Sequence, residues 1–487
     1  MAESLKQKTV KGVGWSFADN IANQGITFLV GLVLARFIIP EEYGLIGIIL
    51  IFVAVFDSII NCGFSSALIR KNDADDMDYN TVFIVNMVLS VVLFIAFFFS
   101  AGLIADFFSQ PLLEPLTQVM GGIVIIHAFA IIQRTILIKR LDFRTQTKAS
   151  IISSVGSGII GISMALNEYG VWSLVGQQLS RAILNTGCIW FYSHWYPKLQ
   201  FSWYSFKCLF EFGWKLSVSS LIDTMWKEIY QVVIGKFYTP TMLGQYTQAY
   251  QFSSIFSSNL NSVIKKVSYP VLSKLQDNKQ QLKEGYRRVI KVTMLITFVF
   301  MLGLAAMGKT LICILIGEQW LIAADLLPVI CFQMLLYPLH SLNLSILQVL
   351  GYSNLFLRLE IIKKSIGIIP IILGVFFSIY WMLWASVITG IIAYYLNSYY
   401  TGKFLNYNII SQIKDIYPSF CVALIMSITV WLLSFLPLSL YILFPLQIIL
   451  GVGIVFSLCE KIKMTEYIEL KSIIESVFRK FSKIYNI

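Results

Sequence analysis

Arg36-Phe37-x-x-Pro40-x-x-x-Gly44 recurs two hundred positions later as Lys236-Phe237-x-x-Pro240-x-x-x-Gly244. Each stretch closes a long apolar segment, one opening on Gly14-Trp15 and the other on Gly213-Trp214. A further echo follows at Tyr79-x-x-Val82-x-x-x-x-Met87 and Tyr286-x-x-Val289-x-x-x-x-Met294, so the kinship runs through at least three consecutive apolar segments. The chain reads as two copies of one membrane unit, an organisation typical of transporters, whose sites lie between the copies.

Composition fixes the solvent. Hydrophobic residues make up 57% of the 487 positions and charged residues 13%, and the mean hydropathy is +0.74. Lipid allows only helices or closed barrels to cross it, and these apolar runs are continuous rather than alternating, so they are helices. Fourteen spans are expected, at about 12–36, 43–68, 80–105, 113–138, 147–166, 170–192, 211–236, 242–264, 287–307, 325–350, 355–376, 380–402, 413–434 and 438–459. The reading is an all-α polytopic membrane protein: a six-helix lobe over 1–200, a second over 201–405, a terminal helix pair over 406–460 and a tail over 461–487. The first span reads as retained, because Asp19, Asn20, Asn23 and Gln24 interrupt it and no small-residue cleavage site follows.

Most of the 37 basic residues fall on the side of the membrane that holds both termini. Only Arg36, Lys236 and Lys309 lie on the other, an asymmetry that places both termini in the cytoplasm. The net charge of +11 is thereby a topological signal that also attracts anionic lipids, and it requires no nucleic acid. In the tail, Leu470, Ile473, Ile474, Val477, Phe478, Phe481, Ile484 and Tyr485 alternate with Lys471, Arg479, Lys480 and Lys483, the spacing of an amphipathic helix on the inner surface. Seven cysteines have neither paired nor metal-like spacing.

A soluble catalytic domain has nowhere to fit. Asp73-Ala74-Asp75 matches a cation-holding DxD pattern, but it sits in a short loop with no nucleotide-binding domain around it and reads as a solvated connection. His127, His194 and His340 have no carboxylate or cysteine at ligand spacing, so no metal site is expected.

Polar residues within spans are more informative, since an ionisable side chain at mid-membrane costs ~2.5–3.5 kcal/mol and faces a cavity or a partner. Span one carries a stripe of Ser16, Asp19, Asn20, Asn23 and Thr27; span seven carries Lys215, Ser219, Asp223, Lys227 and Tyr230. Span two adds Asp57 and Asn61, and span eight adds Gln245, Gln248, Gln251, Asn259 and Asn261. Arg134 and Arg181 add positive charge on spans four and six. Lys227 also lies four residues after Asp223, the order of an intrahelical ion pair. The expected binding residues of a central cavity are Lys215, Lys227, Arg181, Arg134, Asn20, Asn23 and Gln248, with the second half supplying more of the charge. Candidates for ion coupling are Asp19, Asp57 and Asp223. Cations suit phosphate, while amides and aromatics suit sugars.

Ala35-Arg36-Phe37-Ile38-Ile39-Pro40-Glu41-Glu42-Tyr43-Gly44, Gly63-Phe64-Ser65-Ser66-Ala67-Leu68-Ile69-Arg70 and Asn80-Thr81-Val82-Phe83 resemble the Wzx-type polysaccharide flippases of the multidrug/oligosaccharidyl-lipid/polysaccharide exporter superfamily. Leu141-Asp142-Phe143-Arg144, Tyr169-Gly170-Val171-Trp172-Ser173-Leu174-Val175, Phe212-Gly213-Trp214-Lys215 and Ile234-Gly235-Lys236-Phe237 match as well, most like the colanic-acid and teichuronic-acid branch. The resemblance implies fourteen helices in two lobes plus a terminal pair. It also implies export of undecaprenyl-pyrophosphate-linked repeat units by alternating access across the bacterial inner membrane, for O-antigen, capsule or exopolysaccharide. Its cationic cavity maps here onto Lys215, Lys227, Arg181 and Arg134. Implied partners are the lipid-linked oligosaccharide, anionic lipids and other polysaccharide-assembly membrane proteins. No cofactor is implied, and H+, Na+ or the membrane potential stay open as the driving force. A cation-coupled drug antiporter, a lipid II flippase, a membrane glycan polymerase or ligase and a scaffold are the alternatives.

Overall fold

The computed structural model describes residues 5–61, 63–71, 73–472 and 475, with the side chains at 5–18, 20, 21, 258–260, 262–271, 274 and 353 excepted. Among the described residues every regular element is helical. In order these are α1 Leu5–Phe37, α2 Pro40–Asn61, α3 Phe64–Arg70, α4 Asp76–Phe108, α5 Leu113–Met120, α6 Gly122–Lys139, α7 Phe143–Leu166, α8 Val171–Ser193 and α9 Trp203–Phe237. Then follow α10 Pro240–Lys274, α11 Lys279–Leu315, a 3-10 turn Glu318–Trp320, α12 Leu321–Met334, α13 Tyr337–Val349, α14 Ser353–Ile366, α15 Ile368–Phe376, α16 Ile379–Leu405, α17 Ile409–Leu433 and α18 Leu440–Ile462. Rejoining the four broken pairs α2/α3, α5/α6, α12/α13 and α14/α15 turns the eighteen helices into fourteen rods, at the positions expected for the fourteen spans.

Nine of these stretches are long and apolar enough to cross a membrane. Their packing shows which solvent they need. In α18 the most apolar window has a hydropathy of 2.4 yet is only 22% buried, and in α4 the values are 2.8 and 28%. Such faces, with Phe99, Leu103 and Phe107 outward on α4 and Ile442, Ile449 and Phe456 outward on α18, fit hydrocarbon rather than water.

One expectation needs correction. The spans expected at 242–264 and 287–307 leave a long connection between them, but α10 runs on to Lys274 and α11 starts at Lys279. The basic residues there are compatible with helix, and the turn is set by Asn278, whose side chain accepts the amides of Gln280 and Gln281, both at 3.1 Å. Asp75 of the DxD pattern is likewise structural. It caps α4 by accepting the Asp78 amide at 2.9 Å, while Asp78 accepts the Asp75 amide at 3.2 Å and the Lys71 ammonium at 2.6 Å. That Asp78 bond holds the Lys71 ammonium above the ordinary lysine range. In the tail, Leu470 and Lys471 continue the helical conformation after α18, while Ile473, Ile474, Val477, Phe478, Phe481, Ile484 and Tyr485 lie outside the described residues.

Divided by packing, the chain forms two compact units, Met1–Thr247 and Gln248–Ile487. The cut falls later than the repeat boundary read from sequence because α9 packs on α2, α3 and α4. Leu209 of α9 joins a core with Phe64, Leu68, Val82, Phe83, Ile132 and Ile136, and Arg70 stacks 4.3 Å over the Phe212 ring.

Within the first unit the repeated motif meets itself. A Cβ on Gly44 would lie 1.9 Å from the carbonyl oxygen of Pro240, and one on Gly244 would lie 1.9 Å from that of Pro40. Each glycine is required by the proline of the other copy. Gly63, at φ +61°, separates α2 from α3, and its Cβ would strike the Gly213 carbonyl oxygen at 2.2 Å. The Gly-Trp pair that opens α9's apolar run is thus also a contact.

In the second unit α11 packs on α12, α17 and α18. Arg287 of α11 grips Asp415 of α17 through Nε and, at 2.5 Å, through Nη2, while the Tyr407 hydroxyl donates to Asp415 at 2.8 Å. Burial and that bond push the Tyr407 hydroxyl above the ordinary tyrosine range. A buried network continues inward: Thr401 donates to Asn343 at 2.8 Å, and Tyr394 donates at 3.2 Å to Gln412.

Two outcomes follow from these contacts. G44A or G244A should lose about 1–3 kcal/mol through overpacking, seen as a lower midpoint in thermal unfolding of the solubilised protein. G453A, where a Cβ meets nothing within 4 Å, should not. R287Q should lose about 1–3 kcal/mol, because the buried Asp415 carboxylate forfeits its bidentate donor; an unchanged midpoint would show that the pair contributes nothing.

Candidate functional site

A cavity of about 460 Å³ opens inside the first unit, walled by α1, α2, α6, α7 and α8. Small residues make room for it. Along α7, Ser153, Ser154, Ser157, Gly158 and Gly161 are buried, and a Cβ on Gly158 would sit 2.5 Å from Val30 of α1, one on Gly161 2.9 Å from Gln177 of α8. The three helices therefore approach closely enough for their polar stripes to touch.

The polar wall is a set of crossed hydrogen bonds. Asn23 of α1 accepts from Arg181 Nη2 of α8 at 3.1 Å and from the Ser154 hydroxyl of α7. Arg134 of α6 donates through Nη2 to Asn185 of α8 at 3.0 Å, and Asn185 donates in turn to Ser153 at 3.3 Å. Asp19, Gln146, Ser150 and Gln178 complete the polar lining. Each arginine thus has one face fixed by an asparagine and several N–H groups left to offer. The two guanidiniums stand as preorganised anion donors.

Asp57 of α2 holds His127, another residue of the lining, at 3.0 and 2.8 Å from Nδ1 to its two carboxylate oxygens. His127 is 39% and Asp57 30% exposed, and His127 lies on the cavity wall. Seventy positions separate the two residues, far outside ligand spacing in the sequence, and the packing of α2 on α6 joins them.

Of the residues singled out in the sequence, Asp19, Asn23, Arg134 and Arg181 come together here, with Asp57 bonded to a lining residue. Lys215, Asp223 and Lys227 are exposed along α9 and do not line this cavity. Gln248 belongs to the second unit, where it is buried. The side chain of Asn20 lies outside the described residues. Both cations lining this cavity therefore come from the first copy rather than the second. Gln178 and Asn185 were missed, although Gln178, Arg181 and Asn185 share one face of α8 by their three- and four-residue spacing.

The structure resembles that of the lipid II flippase MurJ in an inward closed conformation, with a TM-score of 0.74 at 17% identity, over 93% of this chain and 98% of that one. By sequence, the teichuronic acid biosynthesis protein TuaB of Bacillus subtilis is 27% identical over 301 residues, 61% of this chain and 62% of the relative. The lipopolysaccharide biosynthesis protein WzxC of Escherichia coli is 24% identical over 377 residues, 76% of each. The chain thus matches less than two thirds of TuaB's length. It is a multi-pass membrane protein whose described residues share the helical fold of the MurJ structure. Residues 33–325, more than half of the chain, match the family described as polysaccharide biosynthesis protein, and the chain belongs to that family.

Proposed function

We propose that this protein is a flippase that moves a pyrophosphate-linked oligosaccharide lipid from the cytoplasmic to the periplasmic leaflet of a bacterial inner membrane. In this reading both termini are cytoplasmic, and the cargo is a repeat unit for a surface polysaccharide. The observation that carries it is the pair of guanidiniums, Arg134 and Arg181, each steadied by an asparagine on the wall of a cavity large enough for a glycan headgroup. Arginine binds phosphoryl oxygens without giving up a proton, and Gln146, Gln178 and the serines of α7 supply the donors and acceptors that sugar hydroxyls need.

A second cavity, about 330 Å³ within the other unit, differs in kind. Its wall includes Phe256, Phe300, Leu304, Met307, Met426 and Phe456 and is almost wholly apolar. Such a surface suits an isoprenoid chain. Alternating access would then expose the head to one leaflet or the other. The named relatives act in polysaccharide biosynthesis, which supports this cargo over a drug, and no step of chemistry on the glycan is required of the protein.

The test is export. Each arginine contact to a phosphate is worth about 1.5–3 kcal/mol, so R134Q/R181Q should lower surface glycan at least tenfold. The lipid-linked precursor should accumulate while the amount of protein in the membrane stays the same. K215Q/K227Q should impair export less. Wild-type glycan levels in the arginine double variant would refute the assignment.

A further inference from the structure

Among the described residues, the charged groups on and beside the wall of the first cavity are equal in number and opposite in sign. Arg134 and Arg181 contribute two positive charges, Asp19 and Asp57 two negative ones, and Asp57 and Asp19 both act electrostatically on Arg134. An anion entering such a site meets donors but no net attraction. What can change the sum is the Asp57–His127 pair, with Nδ1 at 2.8 Å from Oδ2, both side chains partly exposed and His127 on the cavity wall. Imidazole is the side chain that ordinarily exchanges a proton between about pH 5 and pH 8. With that proton on the pair, the cavity gains one positive charge while the Asp57 contact persists as an imidazolium–carboxylate bridge.

The groups facing the pair are few. α1 presents Asp19, α6 presents Arg134 and α8 presents Arg181, whereas α7 offers only the uncharged Gln146, Ser150 and Ser153. Asp78, Tyr79 and Asp106 of α4, Glu114 of α5, Arg144 and Lys148 of α7, and Lys215, Asp223, Lys227 and Glu228 of α9 do not line this wall. Among the described residues, His127 is the histidine of this wall.

We infer that Asp57 and His127 form a proton-binding site whose occupancy sets the charge of the arginine cavity, so that a proton and the anionic cargo bind together. Linkage makes the effect reciprocal: the anion raises proton affinity at the pair as much as the proton raises anion affinity. The inference rests on the flippase reading above and names its regulation.

The experiment uses the full chain in lipid nanodiscs and a short-chain prenyl pyrophosphoryl monosaccharide, whose diester charges stay constant across the range. Wild-type affinity should fall as pH rises from about 5 to 8, by up to about tenfold per unit on the alkaline side. H127N, with H127Q as a second variant should the first misfold, should bind with the weak high-pH affinity throughout. D57N, which removes a fixed negative charge, should bind more tightly than wild type at about pH 8. A flat wild-type profile, a wild-type slope in the histidine variants, or an affinity that follows sodium at constant pH would overturn the proton site. Absence of probe binding at every pH would instead sink the flippase reading and this inference with it.

Discussion

Two proline carbonyls occupy the space where two glycines would otherwise carry side chains. Because Pro40 abuts Gly244 and Pro240 abuts Gly44, the starts of α2 and α10 touch through backbone alone. No pair of ordinary residues allows that approach, so the contact fixes where the helices entering it, α1 and α9, must end. Lys236 uses the same place. Its ammonium donates to the Phe107 carbonyl and lies 4.2 Å over the Phe107 ring, tying the end of α9 to α4. A sequence motif repeated across two hundred positions is thus one contact written twice.

From that fixed point the first unit builds a polar interior. α2 carries Asp57 toward α6, and the serine and glycine face of α7 lets α1 and α8 converge. The wall is held by its asparagines, which are already engaged, and among the described residues its two guanidiniums face Asp19 on the same wall. A cavity lined by arginines alone would hold an anion tightly; one whose positive charge is offset by carboxylates can release it.

Much of this is legible in the residues. Long apolar runs and short polar connections located all fourteen rods, since a bilayer imposes a length on whatever crosses it. Asp19 and Asn23 on one stripe, and the isolated charges Arg134 and Arg181, stand out in the sequence because each is costly in hydrocarbon, and the structure sets them on one wall. The breaks at Gly63 and Gly121 were not legible, for they interrupt helices within apolar sequence. Nor was the Asp57–His127 pair, whose members share no helix and no spacing. Lys215 and Lys227 show the converse: the same chemical argument flags them, but α9 turns them away from the cavity that Arg134 and Arg181 line. Periodicity says which residues share a face of a helix, whereas only tertiary packing says what that face meets.

The uneven apolarity of the rods bears on how the chain is made. α8 and α9 are not among the stretches apolar enough to cross hydrocarbon by themselves, and they carry Arg181, Lys215, Asp223 and Lys227. A nascent α8 finds a partner for Arg181 in Asn23 of α1, which leaves the ribosome 158 residues earlier. A helix that carries such a charge crosses hydrocarbon at lower cost once an earlier one offers it a partner. The bonds that line the finished cavity would be what first draws a reluctant helix out of the translocation channel and into the bundle.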